Sequence, residues 1–156
     1  MKKHLFTAVL SLAFVFALGL SVNAQSVGID GSIGAVKRGG STRGTIVMNV
    51  PDGLHANSNR PGSEYAIPTI VKVSAPGGAK VGGVRYPRGR TRKFGFSEDA
   101  LNVYEGRNTF AFNLTVPANY KGNTVRVRAT VRYQTCTDEV CYPPKTQEIT
   151  LTAKVR

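Results

Sequence analysis

Apolar and polar residues alternate along three long segments in the second half of the chain. At residues 125–133 every odd-numbered residue is aliphatic or aromatic, and every even-numbered residue is polar or charged. The same two-residue period recurs at residues 110–116 and 149–155. Because successive side chains of a β-strand point to opposite faces of a sheet, this period predicts three strands with one buried face each.

Shorter strands are predicted at residues 45–50, 68–74 and 101–104, and very little of the chain has a helical period. Residues 25–44, rich in Gly and Ser, predict an edge strand with a loose amino-terminal lead. Many short strands at regular spacing indicate an all-β fold, an antiparallel β-sandwich. The turn-forming segments between the strands, rich in Pro, Gly, Asp and Asn, are residues 51–53, 75–78, 87–89 and 119–123.

The first 24 residues have the composition of a secretory signal peptide. Two lysines precede an almost entirely apolar run at residues 5–20. Val22 and Ala24 are the small residues that a signal peptidase recognises at its cleavage site. The run is short for a membrane-spanning helix, which needs about 20 residues. We therefore expect cleavage after Ala24 and a periplasmic or secreted protein. Residues 25–156 then form one domain.

The chain is strongly basic, with a net charge of +12. Loss of Lys2 and Lys3 with the signal peptide lowers this to +10. Such an excess favours acidic partners or anionic surfaces. The basic residues are spread along the chain without a nucleic-acid-binding motif, so we interpret them as solvated surface and expect no nucleic-acid partner. One long segment, residues 82–99, combines basic residues with glycines and two phenylalanines, and a loop of that length is often functional.

The only two cysteines, Cys136 and Cys141, lie in the stretch YQTCTDEVCYPP near the closed end of a hairpin predicted for residues 124–155. A disulfide across so short a loop contributes only roughly 2 kcal/mol in a chain-entropy estimate. A hairpin tip is, however, accessible to the thiolate of another protein. Spacing and placement leave two interpretations open, a redox-active pair and a local structural disulfide.

Continued alternation predicts that the Cys136 side chain points away from the core. It would then share a strand face with three arginines, and positive neighbours favour the thiolate form of cysteine. Asp138 and Glu139 in the turn act in the opposite direction. The other residues of that face are Arg126, Arg128, Arg132 and Gln134.

Other chemistry has less support in the sequence. His55 is the only histidine outside the signal segment, and carboxylates are clustered only at residues 98–99 and 138–139, which argues against an ordinary hydrolase. A nucleophile pairing of His55 with Cys136 is conceivable but has no support in the sequence. We interpret His55 as a strand residue with satisfied hydrogen bonds. Cys136, Cys141, His55 and Met48 are soft ligands for cuprous copper, but they are scattered, and Met48 is predicted in the core. The alternative function is an exported binding or adhesion module with a structural disulfide and a basic loop for an anionic surface.

The cysteine hairpin resembles the active-site hairpin of the amino-terminal periplasmic domain of the thiol:disulfide interchange protein DsbD. Further motifs that resemble this family occur upstream in the same order, so that the likeness covers roughly residues 50–151. The matching hairpin residues are Tyr133, Gln134, Cys136, Cys141, Pro143 and Pro144. The upstream motifs are residues 51–55, 59–62, 86–87 and 104–106.

The resemblance implies an immunoglobulin-like sandwich whose cysteine pair passes electrons without a cofactor or metal. It implies that Cys141 forms the mixed disulfide with a partner and that Cys136 resolves it. Phe94 or Phe96 is expected to cap the pair, although the basic character of segment 85–93 departs from the family pattern. Tyr133, Gln134, Tyr142, Pro143 and Pro144 are expected to shape the hairpin.

The resemblance also implies two kinds of protein partner. The expected acceptor is an oxidised periplasmic protein. Whole family proteins continue into a membrane-embedded electron carrier and a thioredoxin-like domain, whereas this sequence ends at Arg156. We therefore expect a thioredoxin-like or membrane electron donor on a separate chain.

Overall fold

The computed structural model describes residues 26–156, so the predicted signal peptide, residues 1–24, lies outside the described residues. Within the described part, eleven β-strands and no helix are present, and hence no helix able to cross a membrane. The strands are β1 (Gly28–Ile33), β2 (Ser41–Val50), β3 (His55–Asn57), β4 (Ile70–Ser74), β5 (Lys80–Val81), β6 (Arg90–Arg92), β7 (Leu101–Tyr104), β8 (Gly106–Thr115), β9 (Thr124–Tyr133), β10 (Thr135–Cys136) and β11 (Lys145–Lys154).

The predicted strands are confirmed, with small changes at their ends. The three alternating segments correspond to β8, β9 and β11, and the shorter predictions correspond to β2, β4 and β7. β2 begins four residues earlier than predicted, at Ser41, because it pairs with β8 along its whole length. β1 is an edge strand, as the Gly- and Ser-rich segment predicted.

The strands form three sheets in which neighbouring strands are antiparallel, with the orders β1-β2-β8-β5, β11-β9-β4 and β10-β3-β7-β6. The first two sheets supply most of the hydrophobic core between them, and the architecture is an immunoglobulin-like β-sandwich. β3 follows β2 after four residues, β10 follows β9 after Gln134, and β7 leads into β8 through Glu105. The third sheet therefore lies at one end of the sandwich.

Burial follows the sequence pattern most closely in β9. Its odd-numbered residues are buried and its even-numbered residues are largely exposed, because one face packs on the core and the other faces solvent. Met48 is fully buried in this core, as predicted. The packing is close enough to require glycine at position 44, where a Cβ atom would lie 2.2 Å from Cζ of Phe112.

A second, smaller apolar cluster lies in the third sheet, separate from the main core. It consists of Phe94, Leu101 and Val103, with Ala66 packed against it. Phe94 belongs to the loop that joins β6 to β7, so this cluster fixes the base of that loop. The same end of the molecule holds the cysteine hairpin, because β10 is the edge strand of this sheet.

Candidate functional site

The two cysteines form a disulfide at the tip of the hairpin between β9 and β11. Their sulfur atoms are 2.00 Å apart and their Cα atoms 3.9 Å apart. The Thr137 amide donates a hydrogen bond to the Val140 carbonyl at 2.8 Å, and the Tyr142 amide donates to the Thr135 carbonyl at 2.8 Å. The predicted hairpin with a turn at residues 137–140 is therefore confirmed.

The two cysteines differ in their exposure to solvent. Cys136 is fully buried, with a relative exposure of 0%, whereas Cys141 is exposed. The prediction that Cys136 points away from the core beside the arginines of β9 is wrong. The alternation ends with β9 at Tyr133, and after Gln134 the chain enters β10, in which both Thr135 and Cys136 are buried. β10 pairs with β3 in a different sheet, and this pairing sets the orientation of Cys136.

His55 lies directly opposite Cys136 in the ladder between β3 and β10. Directly opposed residues of an antiparallel pair have side chains on the same face of the sheet, with Cβ atoms about 4.5–5.5 Å apart. His55 is a strand residue, as predicted, but it is not satisfied. It is only 2% exposed, and its Nε2 has no hydrogen-bond partner among residues 26–156.

The environment of His55 favours the neutral imidazole. Burial lowers the pKa of His55 below its ordinary value, because the charged form loses hydration. The carboxylates of Asp138 and Glu105 act in the opposite direction, and the Arg92 guanidinium lowers the pKa further. The net direction is downward, so His55 is uncharged at neutral pH.

The two predicted cap residues lie in a stack of rings that begins at His55. The Phe94 ring is 4.1 Å from the imidazole between centroids, with an interplanar angle of 13°. Phe96 stacks in turn on Phe94 at 5.3 Å and 11°. Phe94 is buried, whereas Phe96 is 42% exposed. The loop between β6 and β7 therefore packs on His55 of β3 through Phe94 and exposes the ring of Phe96.

The loop that carries these rings is held by its own hydrogen bonds. The Ser97 amide donates to the Phe94 carbonyl at 3.2 Å, and the Ser97 hydroxyl donates to the Asp99 carbonyl at 2.8 Å. The Lys93 ammonium also donates to the Glu98 carbonyl. These bonds lie within the loop itself, whereas Phe94 anchors the loop to the small apolar cluster.

A cavity of about 360 Å³ lies beside the exposed cysteine, and Cys141, Phe96, Tyr65 and Gln134 are among the residues that line it. Tyr65 is 88% exposed. The chain neighbours of Cys141, Val140 and Tyr142, are also exposed. Cys141 therefore lies at a surface that is unusually rich in exposed apolar side chains.

The predicted hairpin residues make specific contacts around the disulfide. The Gln134 side chain donates to the Tyr142 carbonyl at 3.1 Å and accepts from the Asn57 side chain at 3.3 Å, which ties the chain after Cys141 to β3. Gln147 donates to the Tyr133 hydroxyl at 2.5 Å. Pro143 and Pro144 are exposed in the segment that leads into β11.

A second cavity, of about 480 Å³, is lined in part by His55. Glu105 and Asp138 line it together with His55. Arg90 and Arg92 each form an ion pair with Glu105, at 3.7 and 3.5 Å. The sequence did not predict this group: Glu105 belongs to the upstream motif at residues 104–106, and it is far in the chain from both His55 and Asp138. Two arginines of the basic segment thus have a carboxylate partner.

The residues considered for copper do not form one cluster. Met48 lies in the main core, and both cysteines are in the disulfide. Within residues 26–156, no group of three or more His, Cys, Asp or Glu side chains is arranged to hold a metal ion.

Comparison with known proteins gives a family and a fold. The family described as thiol:disulfide interchange protein DsbD, N-terminal, matches residues 32–153. The reduced DsbD N-terminal domain of Neisseria meningitidis is similar in structure, with 18% identity and a TM-score of 0.49 over 81% of this chain and 86% of that chain. The N-terminal periplasmic domain of ScsB from Proteus mirabilis has 12% identity and a TM-score of 0.52, over 81% of this chain.

This chain spans 45% of the ScsB structure. A comparison with curated protein sequences gave no match. The family match covers well over half of the chain, includes the cysteine hairpin and agrees with the all-β fold. The chain therefore belongs to the family of DsbD N-terminal domains.

Proposed function

We propose that this protein is an exported thiol–disulfide relay, in which Cys136 and Cys141 pass electrons to an oxidised protein. The observation that carries the proposal is the asymmetry of the pair, because one cysteine is exposed and its bonded neighbour is fully buried. A structural staple needs no such difference. A relay needs one sulfur that a partner can reach and a second sulfur that only the first can reach.

The reaction begins with the reduced pair. The Cys141 thiolate attacks one sulfur of the acceptor's disulfide, a mixed disulfide forms, and the other acceptor sulfur leaves as a thiolate. Cys136 then loses its proton and attacks Sγ of Cys141. The bond between Cys136 and Cys141 forms, the second acceptor sulfur leaves as a thiolate, and two electrons have passed to the acceptor, whose two thiolates take up protons from their surroundings. A thioredoxin-like or membrane-bound dithiol returns the pair to its reduced state by the reverse exchange.

The exposures of the two cysteines support the assignment of Cys141 as the attacking residue. An acceptor disulfide can approach an exposed sulfur in line with its S–S bond, but it cannot reach one that is fully buried. Cys136 is in turn well placed as the resolving residue, because its only reachable electrophile is the sulfur of Cys141.

We propose further that Phe96 is the mobile part of a cap over Cys141. Phe96 and Cys141 line the same cavity, and Phe96 is partly exposed, whereas Phe94 is packed in the small apolar cluster. Displacement of Phe96 by a partner would open the cavity. The exposed side chains of Tyr65, Val140 and Tyr142 offer that partner apolar surface to bury.

Export fits both the chemistry and the family. A reversible disulfide is useful in an oxidising compartment, and the related ScsB domain is described as periplasmic. The signal-like composition of residues 1–24 supports the same location. The proposed partners are a thioredoxin-like or membrane electron donor and an oxidised periplasmic protein.

The reduction potential of the pair in glutathione buffers tests the proposal. A value within the range of known exchangers, roughly −120 to −270 mV, is expected. A value below about −300 mV marks a structural bond and favours a binding module instead.

Trapping experiments test the roles of the two cysteines. A Cys136→Ser variant should accumulate mixed disulfides through Cys141, and its matched control, Cys141→Ser, should not. The opposite result would reverse the assigned order.

A further inference from the structure

His55 is a buried titratable residue for which the relay described so far has no use. Its Nε2 is buried without a hydrogen-bond partner among residues 26–156. Such an atom destabilises a fold, because it has given up water and gained nothing in return. Phenylalanine would keep the stack on Phe94 without this cost, so the nitrogen needs a reason other than stability.

Reduction of the disulfide creates a hydrogen-bond donor on Cys136, the residue opposite His55. Cys136 is opposite His55 in the ladder, both side chains are buried, and directly opposed side chains share one face of the sheet. In the oxidised protein the sulfur of Cys136 carries no proton to donate. In the reduced protein and in the mixed disulfide, Cys136 carries an S–H group on the same face of the sheet as His55, whose Nε2 has no partner among residues 26–156. The orphan acceptor therefore matches a donor that the reaction creates.

The surroundings of His55 fit the acceptance of a proton. Phe94 fixes the plane of the imidazole by stacking at 4.1 Å, and burial keeps the ring neutral. The charged groups that act on it are Asp138, Glu105 and Arg92. Asp138 and Glu105 also line the cavity next to His55, so two carboxylates are placed to stabilise an imidazolium and lead its proton to solvent.

We infer that His55 is the proton acceptor for Cys136 in the step that releases the partner. This inference rests on the proposed relay function. In the mixed disulfide, the Cys136 thiol gives its proton to Nε2 of His55 and becomes a thiolate. The thiolate attacks Sγ of Cys141, the bond between Cys136 and Cys141 forms, and the partner's sulfur leaves with the electron pair. The imidazolium then passes its proton to solvent, or to the departing thiolate, and His55 is neutral again.

The test uses the reduced protein and the small disulfide 5,5′-dithiobis(2-nitrobenzoate). Attack by Cys141 releases the first coloured thiolate, and closure by Cys136 releases the second. Replacement of His55 by phenylalanine should leave the first release unchanged. It should slow the second near neutral pH by about a hundredfold, the low end of what a positioned base contributes. The rate of the second release in the variant should also fall about tenfold per pH unit below the thiol pKa, whereas the native rate should level off above the pKa of His55.

His55→Phe is a matched variant, because it keeps an aromatic ring against Phe94 and removes only the nitrogens. His55→Gln provides a second test with a polar side chain that cannot accept a proton, and it should be slow in the same step. Equal rates of the second release in the native protein and in these variants would overturn the inference. So would a native rate that rises about tenfold per unit throughout the range of about pH 5 to 8, where histidine ordinarily titrates.

The two proposals fail in different measurements. A reduction potential below about −300 mV counts against the relay but leaves the comparison of closure rates intact. Equal closure rates count against His55 and leave the potential and the trapped partners as they are.

Discussion

Cys136 and Cys141 share one bond but lie in different environments. Cys136 is fully buried and lies opposite His55 of β3, whereas Cys141 lines a cavity together with Phe96. Thiol–disulfide exchange requires an approach in line with the S–S bond, so in the proposed relay access to Cys141 would govern every step that involves another protein. The residue most directly able to change that access is Phe96.

Replacing Phe96 with alanine should speed the reaction of the reduced protein with a bulky thiol reagent severalfold. The substitution removes an exposed ring from the cavity beside Cys141, so the cost in stability is small. Tyr65→Ala is a suitable control, because Tyr65 lines the same cavity but takes no part in the stack on His55. Stopped-flow alkylation of both variants measures the effect, and an unchanged rate in Phe96→Ala would remove the cap assignment.

Phe94 is a less suitable position for that test. It is buried in the small cluster with Leu101 and Val103, and truncation of a buried phenylalanine costs about 3–5 kcal/mol. A faster reaction of Phe94→Ala could then result from local unfolding of the loop. The single substitution at Phe96 separates access from stability.

The disulfide itself should contribute little to the stability of the fold. The closed loop is short, and its ends are already joined by the hydrogen bonds between Thr137 and Val140 and between Tyr142 and Thr135. Replacement of both cysteines by alanine should therefore lower the free energy of unfolding by about 2 kcal/mol or less. Urea unfolding of this variant, with the chemically reduced native protein as control, measures the difference. A loss of about 4 kcal/mol or more would instead indicate a structural staple.

The sequence pattern predicts the sandwich but only part of the site. β9 is predictable because its alternation reflects one constant environment, a core on one side and solvent on the other. The burial of Cys136 is not predictable in this way, because it depends on a two-residue strand that pairs with His55, far away in the sequence. The two cysteines are evident from the sequence, and the family resemblance indicated Phe94 or Phe96 as cap candidates. The positions of these rings in the stack and the cavity depend on contacts between distant segments.

The stability of the protein should depend on pH through His55. Burial lowers the pKa of His55 in the folded state, whereas in the unfolded chain it titrates near the ordinary value of 6.5. As the pH falls through about 6.5, the unfolded chain takes up a proton that the folded protein resists, so the free energy of unfolding decreases. The decrease ends once the pH is below the folded pKa, because both states are then protonated. Above about pH 7.5, His55 contributes no pH dependence.

His55→Phe lacks this titration and serves as the reference for carboxylates that titrate in the same range. Urea unfolding of both proteins at intervals from about pH 7.5 to 5 should show a steeper loss of stability in the native protein. The variant should be at least as stable at neutral pH, because a buried nitrogen without a partner has been removed. Parallel curves would mean that His55 is solvated or hydrogen-bonded when folded. A stable variant that closes its disulfide slowly would indicate that the fold keeps this histidine for proton transfer.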